Sequence, residues 1–163
     1  MNEWSIDWIQ VHILGQLLLA MVLGGLIGLD RELADRPAGL RTHILVAGAA
    51  TLFVSLGDIL VDHFNLSVSH DILRTDPIRL IEAVSTGISF LGVGTIIRGT
   101  SDGKIHGLTT AASILVAAGI GVSVAISQFI LAVGMTLLVL LILRGLHLVE
   151  EKMGWNNRDT GET

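Results

Sequence analysis

The sequence contains no cysteine and little charge, and both deficits exclude whole classes of protein. Without cysteine there is no disulfide, no zinc–thiolate site and no cysteine nucleophile. Charged residues make up 15% of the 163 positions, whereas a soluble domain carries about 25%. The net charge of −5 offers none of the basic excess that nucleic-acid binding requires. With a mean hydropathy of +0.71, the chain is expected to lie in a lipid bilayer and to bind no nucleic acid.

Long apolar runs predict an all-α, polytopic transmembrane bundle of about five helices. Residues 11–29 and 44–59 predict the first two spans, and residues 60–77, which hold acids, histidines and a proline, predict an extramembrane loop. A third helix is expected from Pro77 to about residue 97. From residue 108 to residue 146 only Arg144 is charged, and one helix of that length would measure about 58 Å, twice the bilayer core. The chain is therefore expected to turn between residues 119 and 128, which gives spans four and five.

The basic residues divide unevenly between the two sides of such a bundle. Only Arg74 and Arg79 fall on one side. The eight on the other side are Arg31, Arg36, Arg41, Arg98, Lys104, Arg144, Lys152 and Arg158. The positive-inside rule then predicts an external N-terminus and a cytoplasmic C-terminus in a bacterial inner membrane. Residues 1–152 are expected to form the transmembrane domain and residues 153–163 a polar, disordered cytoplasmic tail.

Small residues recur along three of the predicted spans, at spacings that allow helix backbones to approach closely. The predicted packing residues are Gly24, Gly28, Gly87, Gly92, Gly94, Thr109, Ser113 and Gly121. The glycines form neither a dinucleotide fingerprint nor a P-loop, and no nucleophile–base pair or metal-hydrolase motif is found. We therefore expect no enzymatic activity.

Two polar faces near the outer end of the bundle form a first candidate site. They comprise Thr51, Ser55 and Asp58 on the second span and Glu82, Thr86 and Ser89 on the third. If the faces meet, they line an oxygen-rich funnel that suits Mg²⁺, with Asp58 and Glu82 as tentative metal ligands. In the alternative, both carboxylates are solvated at the level of the lipid headgroups and Glu82 pairs with Arg79.

The charged connector between the first two spans forms a second candidate site. Its charged residues are Asp30, Arg31, Glu32, Asp35, Arg36 and Arg41. If the first helix continues to Arg36 and ends at Pro37, Glu32 pairs with Arg36 and Arg31 with Asp35, each at i,i+4. A second cytoplasmic loop, with Arg98 and Lys104, is expected to meet this connector. The pair of loops would act as a structural clamp or as a surface for partner docking or gating.

Two long stretches carry a resemblance to a known family. They are GGLIGLDRELADRPAGLRTHILVAGAA and GISFLGVGTIIRGTSDGKIHGLTTAASILVAAGIG, and together they resemble the MgtC/SapB family of bacterial membrane proteins. The resemblance covers about residues 12 to 146. It implies about five spans, no established enzymatic activity, and links to growth in low magnesium and to restraint of the F-type ATP synthase. Virulence-associated members carry a soluble C-terminal domain after the last span, and we expect this chain to consist of the membrane domain alone.

Three functional hypotheses follow. The first is a non-enzymatic, dimeric regulatory protein that supports magnesium homeostasis by contacting another membrane protein, such as the F-type ATP synthase. The second is a transporter or channel for Mg²⁺ or another cation that uses Asp58 and Glu82. The third is lipid or small-ligand binding beside the short fourth span. None requires a resident cofactor, although Mg²⁺ could bind.

Overall fold

The structure, a computed structural model, describes residues 8–67, 77–98 and 107–153, and all the regular elements in these ranges are helices. The helices are α1 (Trp8–Leu33), α2 (Leu40–Ser67), α3 (Pro77–Arg98), α4 (Leu108–Ala125) and α5 (Phe129–Met153). The predicted all-α fold with five helices is confirmed. The turn between α4 and α5 lies at residues 126–128, inside the range that the sequence predicts.

Four helical segments are long and apolar enough to cross a bilayer. They are Trp8–Leu33, Leu40–Leu60, Ile78–Ile96 and Leu108–Ala125. The apolar part of α5, Phe129–Gly145, is shorter and lies near the lower limit of about 17 residues for a span. Large apolar side chains cover the outside of the bundle, for example Phe90 and Ile130, which are 82% and 91% exposed. The chain is therefore a multi-pass membrane protein.

Helices α1, α2 and α4 pack against one another and form the centre of the bundle. Ala47 of α2 lies between Gly24 of α1 and Gly121 of α4. Side chains such as Ile27 and Ile120 fill the space around Ala47. Helix α3 packs on α4 and α2, whereas α5 packs on α4 and α1. The two peripheral helices therefore leave most of their apolar surface to the surroundings.

Only some of the predicted packing glycines lie at a close helix contact. A Cβ at Gly24 would lie 2.7 Å from both the Ala47 Cβ and the His43 carbonyl oxygen, and one at Gly28 would lie 2.8 Å from the Leu40 Cα. At Gly121 a Cβ would overlap the backbone of Ala47.

The other predicted packing residues lie in looser surroundings or on the surface. Gly92 is in ordinary contact with Ala111 of α4, whereas Gly87 and Gly94 have nothing within 4 Å of a Cβ. Ser113 is buried, and Thr109 is exposed.

Helix α2 is longer than the sequence predicts. Residues 60–67 were expected to begin a loop, but they continue the helix to Ser67. The segment LVDHFNLS contains neither proline nor glycine, so nothing in it interrupts the backbone hydrogen bonds of a helix that has already formed. Its polar residues mark the end of the apolar span and not the end of the helix.

Helix α1 ends at Leu33, so it does not continue to Arg36, which was the condition for the i,i+4 pairs of the connector. Asp35 adopts a left-handed conformation with φ of 55°. The Arg36 N–H donates to the Arg31 carbonyl (3.0 Å) and the Asp35 N–H to the Glu32 carbonyl (3.1 Å), which is a Schellman motif. Pro37 enforces this early end because the residue before a proline disfavours the helical conformation.

The glycine contacts predict opposite effects for alanine at two positions of α1. Gly24→Ala should destabilise the bundle by about 1–3 kcal/mol, because the added methyl group overlaps α2. Gly15→Ala, with open space around it, should cause no loss. Unfolding in mixed detergent–SDS micelles, followed by circular dichroism, measures both. Equal stabilities for the two variants would contradict the close contact.

The left-handed residue predicts a preference for glycine over alanine at one position of the connector. Asp35→Gly should be more stable than Asp35→Ala by about 1 kcal/mol, because a Cβ is unfavourable at positive φ. Both variants remove the carboxylate, so charge does not enter the comparison. At Gly15, inside α1, the same assay should show that alanine is more stable than glycine. A preference for glycine at both positions would contradict the left-handed conformation of Asp35.

Candidate functional site

The charged cluster at the end of α1 is organised around the carboxylate of Asp30. Arg31 donates to Asp30 Oδ2 through Nη2 (2.6 Å) and Nε (3.2 Å). Arg144 of α5 donates from Nε to Asp30 Oδ1 at 3.0 Å. The side chains of Arg31 and Asp30 are 7% and 10% exposed, and that of Arg144 is 68% exposed. One carboxylate thus neutralises a buried guanidinium and also joins α1 to α5.

Glu32 stabilises the start of α2. Its Oε2 accepts a hydrogen bond from the backbone N–H of Leu40 at 2.7 Å, which satisfies a free donor at the helix N-terminus and places a negative charge there. A Cβ at Gly39 would lie 2.7 Å from the same oxygen. The absence of a side chain at Gly39 therefore lets Glu32 reach α2.

The predicted ion pairs of the connector do not form among the described residues. Glu32 would pair with Arg36, and Arg31 with Asp35, if α1 continued to Arg36. Because α1 ends at Leu33, these pairs are no longer one helical turn apart. Glu32 binds the backbone of Leu40 and Arg31 binds Asp30, which leaves Asp35 and Arg36 exposed.

The connector therefore contains two kinds of charged residue. Asp30, Arg31 and Glu32 bind other groups of the protein, although Glu32 is exposed, whereas Asp35, Arg36 and Arg41 are exposed and their side chains have no partner among the described residues. We call these last three the exposed connector charges. Of the second predicted loop, the Arg98 side chain and all of Lys104 lie outside the described residues.

A buried histidine links α2 to α4 close to this cluster. His43 is 0% exposed, with Nδ1 2.9 Å from the Gly39 carbonyl and Nε2 3.0 Å from Ser113 Oγ. A carbonyl only accepts, so Nδ1 carries a hydrogen. In the neutral ring Nε2 then accepts from the Ser113 hydroxyl, and no uncompensated charge is buried. Ser113 Oγ also lies 2.9 Å from the Thr110 carbonyl, which offers its single proton an alternative acceptor.

A second polar layer lies towards the opposite end of α1. Gln16 donates from Nε2 to the carbonyls of Val124 (3.1 Å) and Ala125 (3.2 Å), at the C-terminus of α4. Thr51 donates from Oγ1 to the Gly121 carbonyl at 2.9 Å. These bonds attach α4 to α1 and α2, and the two from Gln16 lie at the end of α4, where backbone carbonyls lack a complete set of helical donors.

The oxygen-rich funnel, one of the two alternatives for the outer polar faces, is not assembled among the described residues. Thr51 faces α4 instead of α3, and Ser55 is buried without a hydrogen-bond partner among the described residues. Asp58 and Glu82 are exposed. Within the described part of the chain, no three His, Asp or Glu side chains group closely enough to hold a metal ion.

The pairings Asp30–Arg144 and His43–Ser113 are absent from the sequence predictions. Their sequence separations are 114 and 70 residues, so no local pattern indicates them. The available signal is that ionisable residues at the edge of a span need partners inside the bundle. That signal marks Asp30 and His43 as residues with partners, but it does not identify those partners.

Comparison with known proteins decides the family. The model of the MgtC family matches residues 17–152, which contain the connector, the close glycine contacts and the polar links made by Asp30, His43 and Thr51. The chain belongs to the MgtC family.

Three relatives within this family illustrate the similarity. The chain is 41% identical to an uncharacterised protein of Haemophilus influenzae over 138 residues. It is 39% identical to MgtC of Salmonella typhimurium (strain LT2) over 124 residues. It is 35% identical to YhiD of Escherichia coli (strain K12), by name a proposed magnesium transporter, over 138 residues.

The matches cover 85%, 76% and 81% of this chain and 57%, 48% and 59% of the three relatives. The chain therefore spans about half the length of the curated MgtC-family relatives that it matches. No solved structure shows a significant similarity to it.

The Asp30 cluster predicts unequal effects for two substitutions. Asp30→Asn should destabilise the protein by about 3–5 kcal/mol, because Arg31 loses its partner while it is buried. Arg144→Gln should cost about 1 kcal/mol or less, because the Arg144 side chain is largely exposed. SDS unfolding in mixed micelles measures both, with the exposed acid Asp35→Asn as control. Equal losses for Asp30→Asn and Asp35→Asn would contradict the buried pair.

Proposed function

We propose that this chain is a non-enzymatic regulatory protein of the bacterial inner membrane that supports adaptation to low magnesium by contacting another membrane protein. The observation that carries the proposal is a rigid connector that presents exposed charge. The link to magnesium rests on membership of the MgtC family and on the similarity to YhiD, a proposed magnesium transporter by name.

The connector is held in one conformation from three directions. The Schellman motif fixes its path after α1, Glu32 binds the start of α2, and Asp30 holds Arg31 against the bundle. Internal bonds therefore use three of the six connector charges. The exposed connector charges remain available to a partner, and because their backbone is already ordered, binding costs little conformational entropy.

The proposed partner is a second membrane protein with charges of both signs at its cytoplasmic surface. The basic residues counted from the sequence favour the orientation that places the connector in the cytoplasm. An F-type ATP synthase, which the family resemblance implies, has surfaces on that side of the membrane. In this proposal the protein acts as a homodimer, and contact with the partner is its activity.

A growth assay separates the exposed connector charges from the structural ones. In a strain that depends on this chain for growth at low magnesium, Arg36→Ala combined with Arg41→Ala should abolish growth. The thermal stability of the purified protein should change by less than about 1 kcal/mol, as is usual for surface substitutions. Arg31→Ala should lower both growth and stability, because it breaks a buried pair.

Gln128→Ala serves as the control, since Gln128 is an exposed polar residue at the α4–α5 turn. Normal growth of the Arg36→Ala, Arg41→Ala double variant would contradict the proposed contact surface. Mg²⁺ flux into proteoliposomes that disappears with Asp58→Ala and Glu82→Ala would instead identify a transporter, and the regulatory proposal would fail.

A further inference from the structure

A groove with a volume of about 370 Å³ lies between α2 and α3. Its lining includes Ala49, Ala50 and Phe53 from α2 and Ala83, Gly87 and Ile88 from α3. At one end Leu80 packs against the Gly57 backbone, where α2 has no side chain. Gly87 has nothing within 4 Å of a Cβ, so the chain itself leaves the groove open there.

Hydrocarbon is the medium that fits this groove. All the lining residues are apolar and belong to segments long enough to span a bilayer. Water needs two to four polar partners to occupy a cavity, and this lining provides no polar side chain. The groove therefore has to be filled by apolar atoms from outside the chain.

The size of the groove selects an acyl chain over a helix from a second copy. Its α3 wall runs from Leu80 to Ile88, a length of about 12 Å at 1.5 Å per residue. A helix with its side chains is about 10 Å across, nearly the whole length of the groove. A single extended hydrocarbon chain is narrow enough to enter.

The charges at the closed end indicate the headgroup. Asp58 follows Gly57, and Arg79 precedes Leu80, so both lie beside the contact that closes the groove. Glu82 follows two residues later, and all three residues are exposed. Asp58 is near the end of the span Leu40–Leu60 and Arg79 near the start of Ile78–Ile96, which is the level of the lipid headgroups.

One guanidinium and two carboxylates complement a headgroup that carries both signs. Arginine binds phosphate through paired N–H donors, and a primary ammonium binds carboxylates. A headgroup with only negative charge would meet two carboxylates of its own sign. We propose that the groove between α2 and α3 binds one acyl chain of a zwitterionic phospholipid whose ammonium and phosphate are held by Asp58, Glu82 and Arg79, as phosphatidylethanolamine would be.

The test compares two glycines of α3 that the sequence does not distinguish. Both Gly87 and Gly94 have open space at the Cβ position, but only Gly87 lines the groove. The full chain is purified in a mild detergent, and phosphatidylethanolamine or phosphatidylglycerol with identical acyl chains is titrated in and counted by native mass spectrometry. Circular dichroism and light scattering follow folding and oligomeric state.

Gly87→Leu should weaken phosphatidylethanolamine binding at least tenfold, whereas Gly94→Leu should leave it unchanged. Arg79→Gln should weaken binding and reduce the preference over phosphatidylglycerol. If Gly87→Leu fails to fold, Ala83→Met fills the same groove and should give the same loss.

Three results would overturn the proposal. Unchanged binding in Gly87→Leu or Ala83→Met would place the lipid elsewhere, and equal loss in Gly94→Leu would show a general effect on α3. A change of oligomeric state in Gly87→Leu without loss of lipid would assign the groove to a second copy. Equal binding of the two phospholipids by the unmodified chain would refute the assigned headgroup.

Discussion

The close approach of α1 and α4 to Ala47 of α2 is the contact on which the rest of the bundle depends. In lipid, helices gain little by burying apolar surface, so backbone proximity and interhelical hydrogen bonds must hold them together. Gly24 and Gly121 leave no room for a side chain at this contact. At a larger separation, Thr51 could not reach the Gly121 carbonyl and His43 could not reach Ser113. The small residues therefore also position the buried polar groups.

The polar groups attach the parts of the bundle to one another at defined points. Gln16 binds the carbonyls of Val124 and Ala125 at the C-terminus of α4, where backbone carbonyls lack a complete set of helical donors. Asp30 joins α1 to α5 through Arg144, whose exposed side chain makes this link weaker than the buried pair with Arg31. No comparable interhelical polar link is found for α3 among the described residues, and α3 is also the helix that borders the open groove. The exposed connector charges and the groove between α2 and α3 therefore lie at different places on the bundle.

The helix boundaries show which features of the fold follow from local sequence patterns and which do not. The helices and the turn near residues 126–128 follow from apolar length and the spacing of charges, which are local properties. Helix α1 does not continue to Arg36, because the left-handed Asp35 and the hydrogen bonds of the Schellman motif end it at Leu33. Helix α2 ends later than its hydropathy predicts, because the polar residues 60–67 leave its backbone hydrogen bonds intact. In both cases the backbone, and not the hydropathy, determined the boundary.

The sequence by itself determined that this is an all-helical membrane protein of the MgtC family, since composition, apolar length and two long motifs are properties of the linear chain. Only the tertiary structure decided which charged residues are structural and which are exposed. Arg31 and Arg36 have the same side chain in the same connector, yet one is buried against Asp30 and the other is exposed. Gly121 and Gly87 likewise differ only in what lies opposite them. The physical reason is that burial and pairing depend on where distant helices cross. For the pairs His43–Ser113 and Asp30–Arg144, which are 70 and 114 residues apart, no local pattern contains that information.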